Sequence, residues 1–170
     1  WCGGEASLVP GYESGVERTD FANDTAIALP RTQLSSKRRE LGAAGNANYG
    51  WFGGGRVPSP AYVSTIDRID YGNDTALAVI RGPLASARNA LAATGNTNYG
   101  YFSGGYPGVA TADRVDYSND TPTMVAKGPL SAGRWNHGAT GTKNYAYFTG
   151  GEAPSATSKV DRLDYTNDTA

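Results

Sequence analysis

The stretch Ile66-Asp67-Arg68-Ile69-Asp70-Tyr71-Gly72-Asn73-Asp74-Thr75 ends in a phrase that the 170-residue chain says four times: an aromatic residue, one spacer, then Asn-Asp-Thr. The phrase falls at residues 21–25, 71–75, 117–121 and 165–169, a period of 46 to 50 residues. Self-similarity at such a period is the signature of propellers, solenoids and arrays. It divides the chain into units 1–50, 51–100 and 101–146 and a partial unit 147–170.

Distances outward from the phrase are nearly invariant. The next basic residue (Arg31, Arg81, Lys127) stands 8 positions after its Asn, an arginine (Arg38, Arg88, Arg134) 7 further, and a tyrosine (Tyr49, Tyr99, Tyr145) 11 beyond that. Only the segment between the Gly-Gly pair and the acidic-Arg pair changes length. Trp1 to Glu17 and Trp51 to Asp67 span 16 positions, Tyr101 to Asp113 spans 12, and Tyr147 to Asp161 spans 14. Fixed spacing marks a packed frame and variable spacing a surface loop.

Each full unit predicts four short strands. In the second unit the first is small and apolar (91–94) and ends at Gly95-Asn96-Thr97-Asn98. The second alternates aromatics with small residues (49–52, 99–102, 145–148) and stops at Gly-Gly, which suits a backbone approached closely by a neighbour. The third is 66–71 and the fourth 76–80, ending at Arg81-Gly82-Pro83-Leu84. No helix-period stripe competes. The expected fold is all-β, built from four-stranded propeller blades or a propeller-derived array.

Composition narrows the function classes. With 15 basic and 16 acidic residues the net charge is −1 and no basic stripe interleaves with the tyrosines, so nucleic acid is not an expected partner. No apolar run is long enough for a membrane-spanning helix, so no membrane insertion is expected. Cys2 is the only cysteine and His137 the only histidine. No zinc site, Cys-His pair or Ser-His-Asp triad can be assembled, and no phosphate loop occurs, so no cofactor and no enzymatic activity are expected.

Three stretches carry a family resemblance: Gly128-Pro129-Leu130-Ser131-Ala132-Gly133-Arg134-Trp135-Asn136-His137, Tyr145-Ala146-Tyr147-Phe148-Thr149-Gly150-Gly151 and Val160-Asp161-Arg162-Leu163-Asp164-Tyr165. In order and spacing they resemble a kelch repeat. The family's His position is Leu41 and Leu91 in the other units, and its late Trp is missing from the fourth strand. The Asp-Arg-x-Asp-Tyr-x-Asn-Asp-Thr phrase is similar to degenerate kelch-type repeats of phage appendage proteins and bacterial surface proteins. That resemblance implies a structural or adhesive role outside the cell, at the cell surface or on a virion.

The phrase itself has two readings. Asn and Asp favour a tight turn between the third and fourth strands. Asn-Asp-Thr also satisfies the N-glycosylation acceptor pattern at Asn23, Asn73, Asn119 and Asn167, with Phe21, Tyr71, Tyr117 and Tyr165 two places earlier as candidate sugar-stacking rings. The turn is the stronger reading, since Asp is a poor middle residue for an acceptor and Pro122 follows Thr121.

The acidic residues at i, i+3 (Glu17 and Asp20, Asp67 and Asp70, Asp113 and Asp116, Asp161 and Asp164) point to opposite faces of a strand and form no catalytic pair. They are expected in blade-to-blade ion pairs with Arg18, Arg68, Arg114 and Arg162 or with Arg38, Arg88 and Arg134, rather than around calcium. The variable loops at 5–16, 55–65, 106–112 and 152–159 should share one rim. Tyr12, Tyr62 and Tyr106 are candidate contact residues there for carbohydrate or protein.

In this reading the sequence starts at a second strand and stops after a third, so its open edges call for pairing with another molecule or for a longer parent chain. The expected role is a non-enzymatic building block of an extracellular fibre, phage appendage or surface filament, with copies of itself as partner. The alternative is a soluble carbohydrate- or protein-binding propeller.

Overall fold

The computed structural model describes residues 11–23, 25–58 and 61–169. The protein is all-β: four antiparallel sheets follow one another in chain order, and the described residues hold no α-helix. The first sheet pairs β1 (Glu13–Arg18) with β2 (Leu29–Arg38). The second is a meander of β3 (Gly42–Gly45) and β4 (Tyr49–Gly53), then, past a small hairpin of β5 (Arg56–Val57) and β6 (Ala61–Tyr62), β7 (Ile66–Asp70) and β8 (Val79–Arg81). The third is β9 (Ala92–Gly95), β10 (Tyr99–Ser103), β11 (Ala112–Asp116) and β12 (Val125–Lys127), and the fourth β13 (Gly138–Gly141), β14 (Tyr145–Thr149) and β15 (Val160–Asp164).

Apolar residues on both faces of a sheet require a neighbour on each side, and the cores accordingly lie between sheets. Trp51, Ile66, Leu84, Leu91, Phe102, Val115 and Met124 form the core between the second and third sheets. Tyr101, Ala112, Leu130, Ala146, Phe148, Leu163 and Tyr165 form the one between the third and fourth. A smaller cluster of Val16, Leu34 and Ile69 joins the first and second.

The expected fourth strand at 76–80 starts later, at Val79. Residues before it are held by the preceding sheet: Thr32 Oγ1 donates to the Ala76 carbonyl at 2.6 Å and Ala78 N to the Gln33 carbonyl at 3.2 Å. Tyr71 also leaves the third strand, in a turn of 3-10 helix (Tyr71–Asn73) capped by Asp70. The strand β2 runs ten residues where its counterparts run three. Gln33 there pairs with Gly15, whereas Pro83 and Pro129 at the same place in the next units have no N–H to donate.

Gly-Gly does more than end a strand. Gly54 and Gly55 take φ of 68° and 104°, and Gly104 and Gly105 60° and 117°. Those left-handed turns let the Gly55 N–H reach the Arg88 carbonyl at 2.9 Å and the Gly105 N–H that of Arg134 at 2.8 Å, each in the segment that leads to the following sheet. The glycine within the aromatic strand has the expected close neighbour: a Cβ on Gly50 would lie 2.5 Å from the Tyr71 hydroxyl.

Candidate functional site

Two carboxylates recur in each unit, and the structure separates their work. The first lies on the third strand. Asp67 binds Arg38 at 2.8 Å, Asp113 binds Arg88 at 2.8 Å and Asp161 binds Arg134 at 2.6 Å. The same arginines donate through Nη2 to the carbonyls of Phe52, Phe102 and Phe148. In the first two pairs both side chains have no solvent exposure. Each pair ties the segment that leaves one unit's fourth strand to the third strand of the next unit, so these ion pairs run between units with Arg38, Arg88 and Arg134 among the expected partners. The other acidic residues of the i, i+3 pairs start the turn: Asp20, Asp70, Asp116 and Asp164 accept the N–H of Ala22, Gly72, Ser118 and Thr166 at 2.8–2.9 Å.

The second carboxylate is the Asp of Asn-Asp-Thr, and it joins units. Asp74 meets Arg18 at 2.8 Å and Arg31 at 3.5 Å, both in the preceding sheet. Asp120 meets Arg68 at 3.0 Å and Arg81 at 3.5 Å and accepts the indole N–H of Trp51 at 2.9 Å. Asp168 meets Arg114 at 2.7 Å and Lys127 at 2.9 Å and accepts the Tyr101 hydroxyl at 2.7 Å. Its backbone takes part as well: the Asp120 carbonyl accepts Gly82 N at 2.8 Å and the Asp168 carbonyl Gly128 N at 2.9 Å.

Burial opposes ionisation of Asp168, but hydrogen bonds from Tyr101 and Lys127 and the charges of Arg114 and Lys127 outweigh it and hold its carboxyl below the ordinary range. Burial, with the Asp168 hydrogen bond and charge beside it, pushes the Tyr101 hydroxyl up, so it remains a donor. The partnership of Arg68, Arg114 and Arg162 is prepared in advance, since each guanidinium lies over the ring of Tyr49, Tyr99 or Tyr145 at 4.4–4.6 Å.

The aromatic of the phrase stacks in the same junction. Tyr117 lies on Trp51 with centroids 4.0 Å apart and planes at 13°, and Tyr165 on Tyr101 at 4.9 Å and 18°. Tyr165 is buried, so in the later units these candidate sugar-stacking rings lie against protein, while Phe21 remains 95% exposed. Asn23, Asn73, Asn119 and Asn167 are all exposed. Each Oδ1 accepts the Thr hydroxyl two residues on, at 2.6–3.3 Å, which closes the turn.

The rim residues come together in part. Tyr62 meets Tyr106 edge-on at 5.6 Å and Tyr106 meets Trp135 at 5.5 Å, above a groove of about 320 Å³ bordered also by Glu40, Arg56, Asn89 and Asn136. Trp135 donates to Glu152 at 3.1 Å and Asn136 to the same carboxylate at 3.2 Å. Tyr12 sits under the Arg39 guanidinium at 5.0 Å, with no ring partner among the described residues. Trp135 was absent from the expected rim, although it stands beside the family-like His137.

His137 is buried, with Nε2 3.0 Å from Ser103 Oγ. Burial and then the Arg134 charge push its pKa down to about 4, which keeps the ring neutral. Among the described residues no three His, Cys, Asp or Glu side chains are grouped to hold a metal.

Neither a protein-family model nor a curated protein matches the chain. Among solved structures it is similar to "Structure of YjhT", with a TM-score of 0.68 at 12% identity over 79% of this chain. The match spans 45% of that structure, and at this identity the likeness is one of fold alone.

Proposed function

We propose that the chain is a kelch-like β-propeller segment, or a propeller-derived array, serving as a non-enzymatic building block of an extracellular fibre, phage appendage or surface filament assembled from copies of itself. The observation that carries this reading is the reuse of one joint: an aromatic stack and an aspartate held by basic residues recur at successive junctions. Propellers and repeat arrays bury each sheet against its neighbours, which matches cores that lie between sheets rather than within one. The last sheet leaves one face without such a neighbour among the described residues, and there Val160 is 61% exposed where Ile66 and Ala112 are fully buried. Sedimentation velocity over a micromolar concentration series tests the reading. Sedimentation that grows with concentration is the expected result, and a concentration-independent monomer overturns it.

A second reading, a soluble carbohydrate- or protein-binding propeller, is favoured by the Tyr62, Tyr106 and Trp135 cluster, whose rings border a groove with Asn89, Asn136 and Glu40. Aromatic faces beside amide and carboxylate groups suit a sugar ring. Glycan-array binding that Trp135→Ala removes without changing the circular dichroism spectrum is the expected result; an array with no binding rejects the sugar form of this reading.

A further inference from the structure

We infer that the groove bordered by Tyr62, Tyr106 and Trp135 is a site for a neutral pyranose sugar, whose hydroxyls satisfy donors and acceptors that the protein leaves open there. This inference rests on the binding reading above and names the ligand class and its polar contacts.

One border of the groove is a backbone column that crosses from unit to unit. Glu40, Ala90 and Asn136 take left-handed φ of 59°, 53° and 54°; Ala90 N donates to the Glu40 carbonyl at 2.8 Å and Asn136 N to the Ala90 carbonyl at 2.9 Å. The column sets three equivalent side chains in a row, and the single methyl of Ala90, between Glu40 and Asn136, leaves the recess.

The polar groups around that recess are incompletely used. Asn89 is only 6% exposed; its Nδ2 donates to Glu40, while its Oδ1 is buried without a partner. Arg56 Nε is likewise buried and unpartnered, and the guanidinium makes no ion pair with a described residue. Asn136 spends Nδ2 on Glu152, which leaves its Oδ1 as an exposed acceptor. Open donors and open acceptors in one groove call for a group that both accepts and donates, which is a hydroxyl. A carboxylate would answer Arg56 alone and face Glu40, and an ammonium would answer the amide oxygens and face Arg56. Two carboxylates, Glu40 and Glu152, and two guanidiniums, Arg39 and Arg56, balance around the site, so no net charge selects an ion. The covered atoms, Asn89 Oδ1 and Arg56 Nε, come within reach through the side-chain shifts that are common on binding.

Rings and size agree with that ligand. Tyr106 is 41% exposed and meets Tyr62 and Trp135 edge-on, so the cluster offers ring faces to the C–H side of a sugar. A volume of about 320 Å³ lies at the small end of ligand sites and holds a mono- or disaccharide. An added peptide strand is disfavoured, because the backbone N–H groups of Ala90, Tyr106 and Asn136 along the groove are already bonded, that of Tyr106 to the Asn89 carbonyl at 2.9 Å.

Saturation-transfer NMR of the whole chain tests it, with methyl glycosides of neutral hexoses and N-acetylhexosamines, glucuronate and unstructured tetrapeptides as probes. The expected result is binding of a neutral glycoside that Arg56→Met weakens about tenfold. Ala90→Glu should abolish it by filling the recess, at a position whose equivalent Glu40 already holds the same φ. Circular dichroism should show both variants folded, since neither side chain has a partner to lose. If a glycoside binds and Trp135→Ala removes it while Arg56→Met and Ala90→Glu do not weaken it, the polar contacts are wrong and the binding reading stands. If only glucuronate or a peptide binds, the neutral sugar is wrong and that reading again stands; if nothing binds, the inference falls together with the sugar form of the reading.

Discussion

The junction between the second and third sheets and the one between the third and fourth hold the same geometry with different chemistry. In the first, an indole N–H and two arginines surround Asp120, and Leu91 fills the space beside Gly54. In the second, a phenol hydroxyl, an arginine and a lysine surround Asp168, and His137 stands beside Gly104 where Leu91 stood. What stays constant is one carboxylate, a ring carrying a donor, a cation braced on a tyrosine and a second cation from the outer strand. The joint is therefore defined by where its charges and donors point, and ring identity is free to vary as long as a donor is kept. That latitude is what allows the same phrase to be reused along a chain whose loops and core residues differ.

Both junctions depend on the fully buried arginine–aspartate pairs of the frame, so breaking one of those gives the largest effect. Asp113→Ala would strand the fully buried Arg88 guanidinium and remove the acceptor of the Ala85 N–H. The expected loss is about 3–5 kcal/mol, read from urea denaturation. The junction is the next step down. Asp120→Ala removes the acceptor of Trp51 and Arg68 at a site only 6% exposed, with an expected loss of about 2 kcal/mol. Asp168→Ala should cost less, because its site is 15% exposed. Equal losses at Asp113 and Asp120 would erase the distinction between frame and joint.

Much of this was legible in the repeat. The strand order, the turn and the buried partners of Arg38, Arg88 and Arg134 follow from spacing, because fixed distances along a chain reflect fixed contacts. The role of the middle Asp did not follow from local reasoning, since turn chemistry already accounts for Asn-Asp-Thr and hides a contact made some 50 residues away. A charge count at the repeated positions would have exposed it: with Arg88 taken by Asp113 and Asp70 by the turn, Arg68 and Arg81 remain as cations and the Asp of the next phrase is the acid left for them. The stacking partners of Tyr117 and Tyr165 were hidden for the same reason. An aromatic beside a turn looks exposed in sequence, and only the neighbouring sheet covers Tyr117 and Tyr165. The rim was half legible, since variable loop length identified Tyr62 and Tyr106, whereas Trp135 lies in the fixed frame where length gives no signal.

The effect that is smallest at neutral pH is confined to one junction and grows only in acid. His137 titrates at about 4 in the folded protein because burial and the Arg134 charge disfavour its cation, against an ordinary value near 6.5 when unfolded. Between those two values the unfolded chain binds the extra proton, so stability falls as pH drops through 6.5 and the loss levels off below about 4. The loss amounts to up to about 2 kcal/mol. The second and third sheets meet without such a group: Leu91 replaces His137, and Gly53 replaces the Ser103 that bonds it. His137→Leu with Ser103→Gly transplants that arrangement and leaves no serine hydroxyl unpaired. Urea midpoints measured from pH 7 to 4 should then decline less steeply than those of the parent chain. The remaining slope comes from carboxylates such as Asp168 and Asp161, which are held below the ordinary range and keep the native state favoured until they are protonated. An unchanged slope would mean that the histidine is solvated in the native state, and that the two junctions differ in residue type without differing in chemistry.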